Sequence, residues 1–165
     1  MVRHESELHS DTRSVIRKAY ESIQKKHGLT EFSIVDAELE LCSLDSPDFL
    51  SSTIRKRLSE RVERFLELLR NLIQPEQTLI DMHEFKYVEK EDRKHLFELF
   101  QKLMLIQRRA VEADLIREED SDCAFFRESF DSWMDLKKDI LIYVKKAQRA
   151  WQDSKEVKER VEYVG

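Results

Sequence analysis

The chain has 165 residues, 41% of them apolar and 38% charged, with a net charge of −5 and a pI near 5.6. It is too apolar to be disordered, and its acidic balance gives no support for a generally nucleic-acid-binding surface. Two Gly, two Pro and a single Asn, Asn71, leave too few turn formers for a β protein of this size, so the composition predicts an all-α fold.

The length predicts a single domain over 1–165, large enough to bury roughly 70% of the surface of its unfolded chain. No apolar run approaches the ~18 residues of a membrane span. The start, MVRHESELHSD, has no apolar core of a secretory signal. Cys42 and Cys123 stand far apart and read as free thiols of a reducing compartment. Together these features predict a soluble, cytoplasmic protein.

The first predicted helix covers about Asp11 to His27. Ser10 or Asp11 caps it, Gly28 stops it, and Val15, Ile16, Ala19 and Ile23 face inward. Lys25, Lys26 and His27 suit the negative end of its dipole. From Thr30 to Leu44 two periods compete. Val35, Ala37, Leu39 and Leu41 alternate like a strand, whereas Phe32, Val35, Leu39 and Cys42 fit a helix. A lone strand would leave its backbone groups unpaired, so a helix is expected.

Ser46-Pro47-Asp48 reads as a helix start, with Pro47 at the first helical position. That helix reaches about Ile73, before Pro75. Leu50, Ile54, Leu58, Val62, Phe65, Leu69 and Leu72 form its packing seam, at steps of four and three. Leu79, Ile80, Met82, Phe85 and Val88 predict one short helix or packed connector.

The central helix runs from near Glu89 to about Glu118. Leu96, Phe97, Leu99, Phe100, Leu103, Met104, Ile106, Ala110, Val111, Ala113 and Leu115 spread over roughly 200° of it, which predicts neighbours on more than one side. Glu118 to Asp122 form an acidic turn. The last helix begins near Asp122 and extends toward Tyr163, a length of about 60 Å at 1.5 Å per residue. Phe126, Phe130, Trp133, Leu136, Ile140, Val144, Ala147 and Trp151 line its inner face. The charged tail, about 152–165, is expected to project or to dock on a partner.

Few patterns carry chemistry. Glu60-x-x-Glu63 followed by Glu89-x-x-Asp92 resembles the metal-binding carboxylates of all-α nucleotide pyrophosphohydrolases of the MazG type. The resemblance implies magnesium held by paired carboxylates on two helices, and hydrolysis of nucleotides. Against it, Glu119/Asp122, Glu128/Asp131 and Glu156/Glu159 share the spacing. Glu60 and Glu63 also lie roughly 150 to 200° from the centre of their helix's apolar face.

Asp92-x-x-His95 has no second such pair to complete a bundle di-metal site. His4, His9, His27, His83 and His95 lack zinc-site spacing, and Gly28 and Gly165 alone cannot make a phosphate loop. Nothing near Cys42 or Cys123 marks an activating base. No residue is therefore assigned as catalytic, metal-binding or cofactor-binding.

Polar residues that intrude on apolar faces say more. Gln107 and Asp114 fall inside the central arc, and Lys137 and Arg61 lie at stripe edges. They reach water, or they pair between helices, as Asp114 with Lys137 would to fix register. Arg127, Lys138, Lys145 and Arg149 share a face that Asp131 and Glu156 interrupt. This is a possible nucleic-acid contact, although a solvated face is the stronger reading. Trp133, Trp151, Phe125, Phe126 and Phe130, together with the wide central face, predict more apolar surface than one bundle covers. The sequence therefore predicts a non-catalytic helical interaction module, with a protein partner or a homo-oligomer completing its apolar faces. A MazG-like pyrophosphohydrolase is the alternative, and a nucleic-acid-contacting subunit the second.

Overall fold

The computed structural model describes residues 2–76 and 78–152. The order is α1 (Val2–His27), α2 (Phe32–Leu39), a 3-10 turn (Leu41–Ser43), α3 (Leu50–Ile73), α4 (Leu79–Phe85), α5 (Lys90–Ile116) and α6 (Glu119–Gln152). The fold is all-α, with no strand among the described residues and with the longest helix last. The expected tail at about 152–165 lies outside the described residues beyond Gln152.

The chain packs as two compact units. Unit 1 holds the chain up to Val62 together with Ile106–Ser132, and unit 2 holds Glu63–Leu105 together with the chain from Trp133 on. Helices α3, α5 and α6 each contribute to both.

The three long helices bury seams that step by three and four. In α5 these are Leu96, Leu99, Leu103, Ile106, Ala110 and Ala113. In α6 the same rhythm buries Phe126, Ser129, Trp133, Leu136, Ile140 and Tyr143. In α3 it runs through Leu58, Val62, Leu69 and Leu72, with Phe65 half-buried and Leu66 buried beside it. An average step of 3.5 keeps one narrow line of side chains turned toward neighbouring helices over the whole length.

The narrow seam corrects the expected 200° face of the central helix. Phe97, Val111 and Leu115 stay exposed, Leu115 at 78%. It also moves the inner face of α6 near its end from Trp151, which is exposed, to Tyr143 and Ala150. Phe125 is buried together with Phe126 and Phe130.

In unit 1, α1 begins at Val2, so Ser10 and Asp11 lie within the helix and do not cap it. Its buried face is Ile16 and Tyr20, while Val15 points outward. Tyr20 donates to the Thr30 carbonyl (2.7 Å) and its ring packs on Phe32. Gly28 takes the left-handed conformation (φ 65°) that ends α1, with its N–H on the Gln24 carbonyl.

The Thr30–Leu44 stretch resolves as a helix plus a 3-10 turn. Glu40 adopts left-handed backbone after α2, and Asp36 accepts the Cys42 N–H to hold the turn. Arg57 of α3 donates to the carbonyls of Leu39 and Glu40, the open end of α2.

Helix α3 starts at Leu50, not at Pro47. Ser46 accepts the Asp48 N–H in a tight local turn, and Phe49 takes a left-handed φ of 55° just before the helix. The expected acidic turn is likewise helix. Arg117, at φ 58°, ends α5, and Glu119, Asp120 and Asp122 form the first turn of α6, where their charge suits the dipole.

In unit 2, Thr78 caps α4. Its hydroxyl accepts the Asp81 N–H and donates to the Asp81 carboxylate (2.6 Å). This reciprocal cap turns Asp81 inward. Leu79, Ile80 and Met82, expected to pack, are therefore 82%, 58% and 52% exposed. Trp133 is fully buried against Phe65, with ring centroids 5.5 Å apart.

One seam residue of unit 1 is anomalous: the Ser129 hydroxyl is fully buried and has no hydrogen-bond partner among the described residues. A buried hydroxyl without a partner costs about 1–3 kcal/mol. Ser129→Ala is therefore expected to raise stability by about 1 kcal/mol in urea denaturation. A loss of more than about 0.5 kcal/mol would show that the hydroxyl is satisfied.

Candidate functional site

The polar centre of unit 1 is built on Arg55. It stands three residues before Leu58 on the α3 seam, and only 7% of its side chain is exposed. Arg55 Nε donates to Asp122 Oδ1 on α6 (2.6 Å), and Nη2 donates to Asp114 Oδ1 on α5 (2.6 Å). Asp122 is itself 5% exposed and accepts the Ser51 hydroxyl on its other oxygen (3.3 Å). Asp114 is 54% exposed and completes the trio at the water-facing side. One turn along, the Ser59 hydroxyl of α3 donates to Gln107 of α5 (2.9 Å). Both polar intruders on the central arc are thus engaged by α3. Asp114 is 54% exposed, as expected of a side chain that reaches water, and its ion-pair partner is Arg55 rather than the Lys137 of the alternative reading.

Ser51, Arg55, Asp114 and Asp122 line a cleft of about 830 Å³ within unit 1. Its apolar wall is Ala19, Ile23, Pro47, Phe49 and Leu50, with Phe49 84% exposed. Its rim carries Ser52, Lys56, Arg117 and Glu119. The volume falls in the range of small-molecule sites, roughly 300–1,000 Å³. The carboxylates are engaged, Asp114 and Asp122 by Arg55, and Glu119 by Lys26 and His27. The side chains of Lys56 and Arg117 make no hydrogen bond or ion pair with any described residue.

The end of α1 meets the start of α6 through a second cluster. Lys26 Nζ reaches Glu119 (2.9 Å) and Asp120 (3.3 Å), and His27 Nε2 lies 3.3 Å from Glu119. Arg127 donates to the His27 carbonyl (3.0 Å) and closes α1. His27, Glu119 and Asp120 bring ligand atoms within 4.8 Å of one another, the one such group of three or more among the described residues. The ammonium of Lys26 already pairs with both carboxylates of the group. The hydrogen bond from Lys26, then that from His27, holds the Glu119 carboxyl below the usual carboxylate range. Glu119 and Asp120 in turn raise Lys26.

The carboxylates of the MazG-like pattern lie apart from any such group. Glu60 is exposed in unit 1. Glu63 and Glu89 are exposed in unit 2, and Asp92 forms an ion pair with Lys146 of α6 (2.5 Å). His95, three residues on, shares a hydrogen bond with the Tyr143 hydroxyl (2.8 Å). The Asp92-x-x-His95 pair thus fastens α5 to α6 within unit 2.

On the basic face, Lys138 is paired with Asp135 (2.8 Å), and Lys145 and Arg149 are exposed. The thiols are free. Burial, then the negative charge of Glu119, pushes Cys123 up to about 11, and burial with the Asp36 hydrogen bond raises Cys42, so neither is an activated nucleophile.

Arg55 and Asp122 were missed in the sequence because each sits in a polar run. The signal was present in the heptads. Carrying the α3 seam back three residues from Leu58 lands on Arg55, and carrying the α6 seam back four from Phe126 lands on Asp122. The chain matches no protein-family model, no curated protein and no solved structure.

Two outcomes follow. Arg55→Ala leaves Asp122 buried without its cation and is expected to cost about 3–5 kcal/mol in chemical denaturation. A cost below about 1 kcal/mol would show that water replaces the guanidinium. The Glu119 carboxyl titrates lower folded than unfolded. Its contribution is therefore present above the ordinary carboxylate pKa and is lost as pH falls through the depressed value. Lys26→Ala is expected to flatten the acid limb of a stability–pH curve, and an unchanged limb would rule the cluster out.

Proposed function

We propose that the chain is a non-catalytic helical interaction module, a small subunit of an assembly or a self-associating protein. The observation that supports this reading is the outward face of α4 in unit 2. Leu79, Ile80 and Met82 are exposed together because the Thr78–Asp81 cap turns the polar residue inward. On the same helix, Glu84 accepts a hydrogen bond from Trp151 (2.8 Å), whose ring packs on His83, 4.7 Å between centroids. His83 in turn bonds the Ala150 carbonyl (2.8 Å), which fastens α4 to the end of α6. A half-exposed aromatic ring hydrogen-bonded to a helix that carries three exposed apolar side chains is the composition of a protein-binding hot spot.

No helix of the described residues is long and apolar enough to cross a membrane. Two free cysteines favour a reducing compartment such as the cytoplasm.

Because Leu79 and Met82 are exposed, Leu79→Asp/Met82→Asp is expected to leave the melting temperature unchanged. It is expected to abolish association, read by sedimentation and by capture from native cell extract. A wild-type protein that sediments as a monomer, with a capture profile the double substitution does not alter, would refute the reading.

A further inference from the structure

We infer that the cleft of unit 1 binds a small organic anion, its oxyanion held by Lys56 and Arg117 and its apolar body seated against Phe49. The proposal concerns a different surface from α4 and stands independently of it.

Three observations carry it. The first is size and composition: about 830 Å³, lined both by apolar side chains and by charged ones. Sites for small molecules pair a mainly apolar wall with a few fixed polar groups. The second is the sign of the charge that remains. The lining has three cations, Arg55, Lys56 and Arg117, and three carboxylates, Asp114, Glu119 and Asp122. All three carboxylates and Arg55 have partners within unit 1, so the charged lining side chains without a partner among the described residues are both cations. An added ligand there finds uncommitted positive charge. The third is rigidity. Arg55, Asp122 and Ser51 are locked to one another in the lining, which fixes the start of α3 that carries Ser52 and Lys56. A lining already ordered loses little entropy when a ligand enters.

The apolar half selects among anions. Phe49 is 84% exposed and lines the cleft with Pro47 and Leu50, and Ala19 and Ile23 line it from α1. A bare phosphate would leave this wall wet. An aryl or alkyl phosphate, or the matching carboxylate, covers it and meets both cations.

The test is a titration of the full chain with phenyl phosphate, benzoate, inorganic phosphate and phenol, followed by backbone amide NMR shifts of Ser51, Ser52 and Lys56. Saturable shifts are expected with phenyl phosphate or benzoate at a Kd of about 1 mM or tighter, with inorganic phosphate and phenol each at least tenfold weaker. The stronger of the two aryl anions identifies the headgroup. Lys56→Ala/Arg117→Gly is expected to weaken binding at least tenfold without loss of fold. Both side chains are exposed, and Gly suits the left-handed backbone at 117. Lys145→Ala, an exposed cation of unit 2, is expected to leave binding unchanged. The proposal is overturned if no probe gives saturable shifts, or if Lys145→Ala weakens binding as much as the double substitution.

Discussion

A guanidinium taken out of water between two helices is the constraint on which unit 1 depends. Arg55 is 7% exposed, and its burial would be prohibitive alone. It is tolerated because Asp122 and Asp114 each place an oxygen 2.6 Å from a different nitrogen. Those oxygens come from two helices other than the one that carries Arg55. A slide of any of the three by one residue would strand a charge in the interior. The trio therefore selects one axial register for α3, α5 and α6 within unit 1, a task that the aliphatic seam leaves loosely specified. Ser51 completes the arrangement by taking the remaining oxygen of Asp122.

In unit 2 polar contacts act as fasteners at the margin of a fully apolar seam. Asp92 with Lys146, His95 with Tyr143, and His83 with the Ala150 carbonyl each tie a neighbouring helix to α6. None places a charge as deep as Arg55. The two units thus use one seam rhythm with different polar content, and their surfaces differ accordingly. Unit 1 has a charged cleft above its buried trio, and unit 2 has an apolar face where α4 is capped with its polar side inward.

Much of the architecture was legible because helical packing depends on spacing. The α3 seam from Leu50 to Leu72 could be read residue by residue, and Gly28 marked the end of α1. What failed did so for physical reasons. Apolar composition counts grease but not neighbours, so Phe97, Val111 and Leu115 looked buried on a helix whose neighbours cover a narrower line. Local capping overrode the apolar pattern at Thr78–Asp81 and turned Leu79, Ile80 and Met82 outward. Left-handed backbone at Phe49 and Arg117 moved two helix boundaries, because neither residue type announces that conformation. Of the polar centre, Asp114 was visible as an intruder on an apolar arc. Its partner was hidden in the run Arg55-Lys56-Arg57, where charge reads as surface.

The measurement that tests the account most directly is a double-mutant cycle on Arg55→Met and Asp122→Leu, with unfolding free energies from urea denaturation. If the buried pair sets the packing of unit 1, each single change strands a charge and the double change relieves it. The predicted coupling is then about 1.5–3 kcal/mol. Additive losses within about 0.5 kcal/mol would mean that the two side chains contribute separately, and the central claim would fail.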